Sequence, residues 1–438
     1  MSGEVLTDGG AAPAPTAGGV DVSRVAEQLF RHESGKLVSV LTGIFGIEHL
    51  QLAEDVVQEA LIRALQVWPY YGIPKNPAAW ITQTAKHLAL DLLRREKRFQ
   101  EKQPEVIATV ENWSSAPAGA ESATMDTEIA DDRLRLIFTC CHPVLPPEAQ
   151  IALALKTLCG FSPVEIARAF LISEAAVAKR LTRARQRLQE QRIPFEIPAG
   201  AELSERLDGV LMTLYLLFNE GYKASSGDRL VRREMCAEAI HLTSLLASHP
   251  AGNVPRTHAL LALMLLHEAR TPARVDTDGA ILRLKEQSRA RWDHAMIVSG
   301  LQHLALSAQG EEITRFHLQA GIAACHSTAA DDASTDWPQI LSLYDQLAKI
   351  DDTPIVALNR AVALAKVEGP AAGIAAIEAV KTDPSLASYH LLYAVLAEFE
   401  SQLGHFEVAA AHLRKALKLA EVKSEQSLLS KRLADLEE

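Results

Sequence analysis

The chain reads as all-α, organised in three helical blocks. Hydrophobic side chains make up 48% of its 438 residues but aromatic ones only 5%, and Ala and Leu are abundant. Apolar residues recur at helical spacing, and no stretch keeps the period of two expected of a half-buried strand. The length suffices for two or three domains with cores of their own. Residues 1–20 are rich in Gly, Ala and Pro, with neither a basic start nor an apolar core, and read as a flexible tail and not a signal peptide. No apolar run is long enough to span a bilayer, so no membrane association is expected. Five cysteines (Cys140, Cys141, Cys159, Cys236 and Cys325) make no secreted disulfide framework, which fits a reducing cytoplasm.

The first block covers residues 22–99. Within it Glu54 to Leu61 sets acidic and amide groups beside an apolar seam of Val56, Val57 and Leu61. A second helix, Ile81 to Lys97, carries an apolar stripe of Ile81, Ala85, Leu88 and Leu92. Its opposite face gathers Gln83, Lys86, His87, Arg94 and Lys97, with Arg95 and Arg98 extending the charge. In isolation such a face is equally a solvated surface. Residues 100–127 form a linker that is breaker-rich and acidic from 103 onward, with Pro104, Pro117 and Gly119 among Glu105, Glu111, Glu121 and Asp126.

The second block, residues 128–192, holds the most specific motif. Ser162 and Glu165 form a capping box around Pro163, and Ser173 caps a following helix. Val177, Leu181, Ala184 and Leu188 share one stripe of that helix, while Ala175, Lys179, Thr182, Arg183 and Gln186 point away from it, with Arg180 and Arg187 on a flank. Two short helices, the second with an apolar back and a basic front, form a helix-turn-helix suited to a DNA major groove. The net charge of −11 is unevenly spread: residues 1–193 carry 21 basic against 23 acidic side chains, the remainder 23 against 32. Charge alone therefore does not bring this chain to DNA; affinity borrowed from a partner could.

The third block, residues 203–438, is a series of Ala/Leu-rich amphipathic helices. Gly369 and Gly404 are 35 residues apart, close to the ~34 of a tetratricopeptide repeat, and residues 354–421 read as such repeats. Asn219-Glu220 before Gly221 reads as a helix end closed by glycine. Cys140-Cys141-His142 lacks the spacing of a zinc site. His267-Glu268 lacks a second histidine, and there is no phosphate-binding glycine loop or serine elbow. No catalytic residue, metal or cofactor is expected, and the chain is not read as an enzyme.

Taken in order, several motifs carry a resemblance. Asp55-Val56-Val57-Gln58-Glu59-Ala60, Ala79-Trp80-Ile81 and Ala85-Lys86-His87-Leu88-Ala89-Leu90-Asp91-Leu92-Leu93-Arg94-Arg95 resemble region 2 of bacterial sigma-70 factors. Val177-Ala178-Lys179-Arg180-Leu181-Thr182-Arg183-Ala184-Arg185 resembles their region 4. A short linker with no third domain between them is the layout of the extracytoplasmic-function (ECF) subfamily. Tyr215 to Tyr222 and Ala357 to Ala363 resemble the extension of one ECF group, whose tetratricopeptide-like domain replaces a dedicated anti-sigma partner.

The resemblance implies a factor that binds core RNA polymerase and directs it to promoter DNA. Asp55, Gln58 and Glu59 would dock on the polymerase clamp. Trp80, Gln83, Lys86 and His87, with Arg94, Arg95, Lys97 and Arg98, would meet the −10 element, Trp80 serving first as a core anchor. The loop Tyr70 to Pro77 would capture unstacked bases. Histidine at 87 stands where the family commonly has asparagine, so the −10 preference should differ. Ala175, Lys179, Arg180, Thr182, Arg183 and Arg187 would meet the −35 element. The acidic linker would run near the RNA exit path. Asn219, Glu220 and Tyr222 are candidate regulatory residues, and the C-terminal domain is expected to touch the sigma regions or polymerase and so modulate activity. The alternative is a helix-turn-helix regulator with a helical sensor domain that binds DNA without acting as a sigma factor.

Overall fold

The computed structural model describes residues 22–95, 132–158, 160–170, 172–222, 233–274, 281–381 and 383–437. The tail, Lys97, Arg98, the linker, Cys159 and Leu171 lie outside the described residues, as do the side chains of Arg94 and Arg95. Among the described residues the regular structure is helical, apart from an isolated bridge at Ile281.

Three helices, α1 (Val22–Phe45), α2 (Leu50–Tyr71) and α3 (Pro77–Arg95), make the first block. Gly46, at φ 87°, lets the chain reverse through a short 3-10 turn into α2, and Gly72, at φ 83°, ends α2. Trp68 is buried on α2 and meets Trp80 edge-on, ring centroids 5.6 Å apart, which fastens the start of α3 to α2.

The second block comprises α4 (132–140), α5 (Pro147–Leu158), α6 (Pro163–Phe170) and α7 (Glu174–Gln191). The capping box closes reciprocally: the Ser162 N–H donates to Glu165 at 2.8 Å and the Glu165 N–H to Ser162 Oγ at 3.2 Å. Ser173 Oγ accepts from the Ala176 N–H at 3.3 Å. Such a cap is worth about 1 kcal/mol. Val177, Leu181, Ala184 and Leu188 are buried against α5 and α6, at about 1.5–3 kcal/mol for each of the larger side chains. That buried stripe fixes which face of α7 is left outward.

Twelve further α-helices follow among the described residues. They are α8 (Ala201–Tyr222), α9 (Arg233–Ser248), α10 (Pro255–Glu268), α11 (His294–Ser307), α12 (Arg315–Thr328) and α13 (Trp337–Ile350). After them come α14 (Pro354–Glu368), α15 (Pro370–Glu378), α16 (Pro384–Ala387), α17 (His390–Gln402), α18 (Phe406–Leu419) and α19 (Lys423–Glu437). Most pack on a sequence neighbour, giving a stacked array of helix pairs. Gly369, at φ 98°, and Gly404, at φ 80°, stand at the turns before α15 and α18.

Gly221 does not end a helix. α8 runs through it to Tyr222, and Gly221 is buried where α8 meets α9: a Cβ there would stand 2.7 Å from the Cys236 nitrogen. The residue is glycine for close approach, not for a left-handed cap.

One apolar core runs from Leu37 on α1 to Ala323 on α12, so the three blocks share it. Gly35 brings α1 so close to α5 that a Cβ would lie 1.8 Å from the Leu158 carbonyl oxygen. α8 packs on α5, with Gly209 against Cys141 and Gln150, and Arg133 of α4 pairs with Glu238 of α9.

Candidate nucleic-acid interface

The outward face of α7 is cationic and open. Ala175, Lys179, Thr182, Arg183 and Arg187 are exposed and Arg180 is half-buried. Lys179 and Arg183 form no ion pair with any described residue. Arg187 donates to the Val144 carbonyl at 3.1 Å, which ties it to the turn before α5. Between that turn and α7 lies a groove of about 640 Å³, lined by Lys179, Arg180, Arg183 and Arg187 with Glu148 and Glu190 at its edges. The geometry offers point charges and forked guanidinium groups to an approaching phosphate or base edge.

Region by region, the first block divides more sharply than its sequence suggests. Asp55, Gln58 and Glu59 are exposed along one side of α2. Gln51 donates to Asp55 at 2.8 Å and Arg63 to Glu59 at 3.3 Å, which holds those carboxylates in place. On α3, Gln83 and His87 are exposed and 3.3 Å apart, forming one polar patch. Lys86 does not join them. It is 5% exposed, and burial pushes its pKa below the usual lysine range. Its place in the helix, between Ala85 and the Ala89–Leu90 pair, carries its stem into the core. Trp80 is half-buried on Trp68. Ahead of α3, Tyr70 and Tyr71 are 85% and 87% exposed, two aromatic faces with no packing role. Asn76 Oδ1 accepts from the Ala79 N–H at 3.1 Å and caps α3.

Sequence reasoning missed the junction between these blocks. Glu54, one residue before the acidic motif, is 6% exposed. Its carboxylate accepts from Thr157 Oγ1 at 2.9 Å and from Arg185 Nη2 at 2.8 Å. Arg185 therefore leaves the outward face of α7 and turns to α2. Gln58 lines a small cleft beside it with Lys156 and Gly160. The only signal in the sequence was a glutamate and an arginine 131 residues apart, which no local pattern connects.

Asn219 and Tyr222 are half-buried and Glu220 is buried, all on the last turn of α8. Tyr222 stacks on Phe218 at 5.7 Å, lies under the Arg274 guanidinium at 3.7 Å, and accepts from Arg270 at 3.1 Å through its hydroxyl. Cys140 and Cys141 are fully buried, and burial pushes the Cys141 thiol up to about 12, with the Thr213 hydrogen bond and Arg206 opposing. Among the described residues no group of His, Cys, Asp and Glu is arranged to hold a metal ion, and no helix is long and apolar enough to cross a membrane.

The fold and this face define a class: a helical DNA reader in two parts, a helix-turn-helix block joined to a second helical block. Comparison with known proteins sharpens it. Residues 29–99 match sigma-70 region 2, residues 135–188 match sigma-70 region 4, and residues 206–308 match a family of unknown function, DUF6596. An uncharacterized protein of Rhizobium meliloti (strain 1021) is 38% identical over 390 residues, covering 89% of this chain and 90% of its own. The ECF RNA polymerase sigma factor SigE of Mycolicibacterium smegmatis is 27% identical over 164 residues, 37% of this chain and 60% of its own. SigW of Bacillus subtilis, likewise an ECF RNA polymerase sigma factor, is 28% identical over 150 residues, 32% of this chain and 74% of its own. No solved structure matches. The chain belongs to the sigma-70 family, within its ECF group.

Proposed function

We propose that this sigma factor binds core RNA polymerase through Asp55, Gln58 and Glu59, reads the −35 element with α7, and meets the −10 element with Gln83, His87 and the exposed Tyr70 and Tyr71 at the end of α2. Lys179 and Arg183 carry base contacts, and Arg180 and Arg187 hold backbone phosphates. Arg94 and Arg95 at the end of α3, with Lys97 and Arg98 after it in sequence, add phosphate contacts, and Trp80 anchors the start of α3 on α2. The observation that carries the reading is the exposed cationic face of α7 with its apolar back locked into α5 and α6.

The arrangement of the blocks adds a regulatory step. α7 touches α2 through Arg185, and α3 packs on α2. At about 10 Å per packed helix, the two readers stand on the order of 20 Å apart. The −10 and −35 elements are separated by about two and a half turns of duplex, roughly 85 Å. The compact form cannot span both. We infer that it is a resting state, held by the Glu54–Arg185 pair and by the C-terminal helices docked on α5, and that polymerase engages the opened form. Tetratricopeptide-like pairs at 354–421 and the α8 end around Asn219, Glu220 and Tyr222 belong to the controlling half.

Run-off transcription with purified core polymerase tests the reading. Transcripts starting at defined sites only when this chain is added are expected. Tight operator binding by the chain alone, without defined starts, would favour a stand-alone DNA-binding regulator instead.

A further inference from the structure

Residues 281–287, with a single 3-10 turn at Leu284–Glu286, stand between α10 and α11 in sequence yet lie against the far end of the chain. Arg283 Nη1 and Lys285 Nζ donate to the two oxygens of Glu398 on α17 at 3.0 and 2.9 Å. Between them Leu284 is half-buried; it packs on the main core and faces an open cleft of about 500 Å³. Helices α14 and α17, which share a separate core, also line this cleft. Its floor is apolar, made by Trp337, Ile340, Val362, Val395 and Phe399.

The segment is built to let go. Glu286 accepts from the Arg283 N–H at 2.8 Å and from Arg283 Nε at 2.7 Å, so Arg283 carries a carboxylate with it. Arg432 of α19 donates to Glu398 at 2.8 Å, so Glu398 keeps a cation when the segment leaves. Neither side is then left with a lone charge, which would be costly in a half-buried place. The Arg283 and Lys285 side chains are 32% and 42% exposed, and pairs so open to water hold weakly. Burial opposes the charge on Glu398, but the Lys285 hydrogen bond and the Arg432, Lys285 and Arg283 charges hold its carboxyl below the usual range. It stays an anion for whichever base is offered. The far end of the cleft adds no free charge. Lys366 pairs there with Asp332 at 3.1 Å. Burial first, then Arg270 and Arg289, hold the His326 pKa down at about 4, Asp332 opposing and Lys366 adding. The segment is thus an internal ligand of basic, apolar, basic pattern, and its leucine leaves the apolar floor uncovered.

We propose that this groove docks a partner protein through a short segment with a large apolar side chain between two basic ones. That segment displaces residues 283–285, sets its bases on Glu398 and fills the apolar cleft. Tethering gives the internal segment a high effective concentration, so only an occupant that buries more apolar surface than Leu284 replaces it. Such docking would give the controlling half of the chain a protein input.

Fluorescence anisotropy of the full-length protein with labelled, end-capped heptapeptides tests this. The probe has the sequence of residues 281–287 carrying Leu284→Trp, and it should bind saturably. The same heptapeptide with Leu284→Ser, or with Arg283→Glu and Lys285→Glu beside the tryptophan, should bind at least about tenfold more weakly. In the protein, Leu284→Ser weakens the internal competitor and should tighten the probe about tenfold. Val362→Trp fills the cleft from α14 and should abolish binding while the protein still melts cooperatively, which decides the matter if the Leu284→Ser protein does not fold. The proposal fails if the tryptophan probe saturates neither the unaltered protein nor a folded Leu284→Ser protein. It fails equally if the charge-reversed peptide binds as well, if loosening the internal segment leaves affinity unchanged, or if a folded Val362→Trp protein keeps full affinity. Because the readout is binding, failure here leaves the sigma-factor reading standing.

Discussion

Two sets of arginines in this molecule face opposite situations. On α7, Arg183 stands in solvent beside Lys179 with no carboxylate attached, over an apolar back that is fully buried. In the C-terminal half, Arg270 and Arg289 have buried, unpartnered nitrogens. An exposed, unpaired cation costs little and is ready for a large polyanion that arrives from outside. A buried nitrogen without a partner is costly and is tolerated where the rest of the group finds acceptors, as Arg270 does in Tyr222 and Arg289 in the carbonyls of His326 and Ala329. Between these extremes lies Arg185, which shares α7 with Arg183 yet spends its charge inside the protein on Glu54. Position on the helix, and not residue type, decides which arginine is left open to solvent and which holds the fold.

The exposed set should give the largest effect when removed. Lys179→Ala with Arg183→Ala should cut run-off transcription at a responsive promoter about 100-fold, given 1–3 kcal/mol for each base contact. The melting temperature should not move, since both side chains are exposed. Unchanged output would mean that α7 is not a reader.

Next comes the paired arginine. Glu54→Ala leaves Arg185 facing a mostly buried site and should cost about 3 kcal/mol of stability. Small-angle scattering should show an enlarged radius of gyration as α2 and α7 part. Glu54→Ala with Arg185→Ala should recover part of the loss in thermal unfolding, since no lone charge is then left at the junction.

Gly35 offers a test by sign. In an exposed helix Gly→Ala stabilises by about 1 kcal/mol, but here the added methyl would collide with the Leu158 carbonyl. A lower melting temperature for Gly35→Ala supports the docking of α1 on α5 in solution; a higher one argues that the blocks part freely.

The smallest effect concerns pH. His326 is held near a pKa of about 4, against 6.5 for an unperturbed histidine. Between those values the unfolded chain takes up a proton that the folded one refuses. The stability present above about pH 6.5 is therefore lost as pH falls through about 4. His326→Asn should flatten that part of a melting-temperature profile.

Much of the promoter-reading half is legible in the sequence because its signals are local. Ser162, Pro163, Glu165 and Ser173 mark two helix starts within twelve residues, and the 3.6-residue stripe of α7 sorts its faces. The failures are tertiary. Lys86 has a charged side chain that periodicity places outside, yet its long stem enters the core. Gly221 looks like a stop, and only the approach of α9 reveals a packing residue. Glu54 with Arg185, and Arg270 with Arg289 and His326, join positions that no spacing rule connects.

The most direct test of the account is the distance between α3 and α7 during initiation. Dyes carried by Asp91→Cys and Gln189→Cys, both exposed positions outside the proposed contacts, would report it by energy transfer. The account predicts high transfer in the free protein and a drop to near zero once core polymerase and promoter are added, as the readers separate toward roughly 85 Å. High transfer that persists in a complex competent for transcription would contradict it.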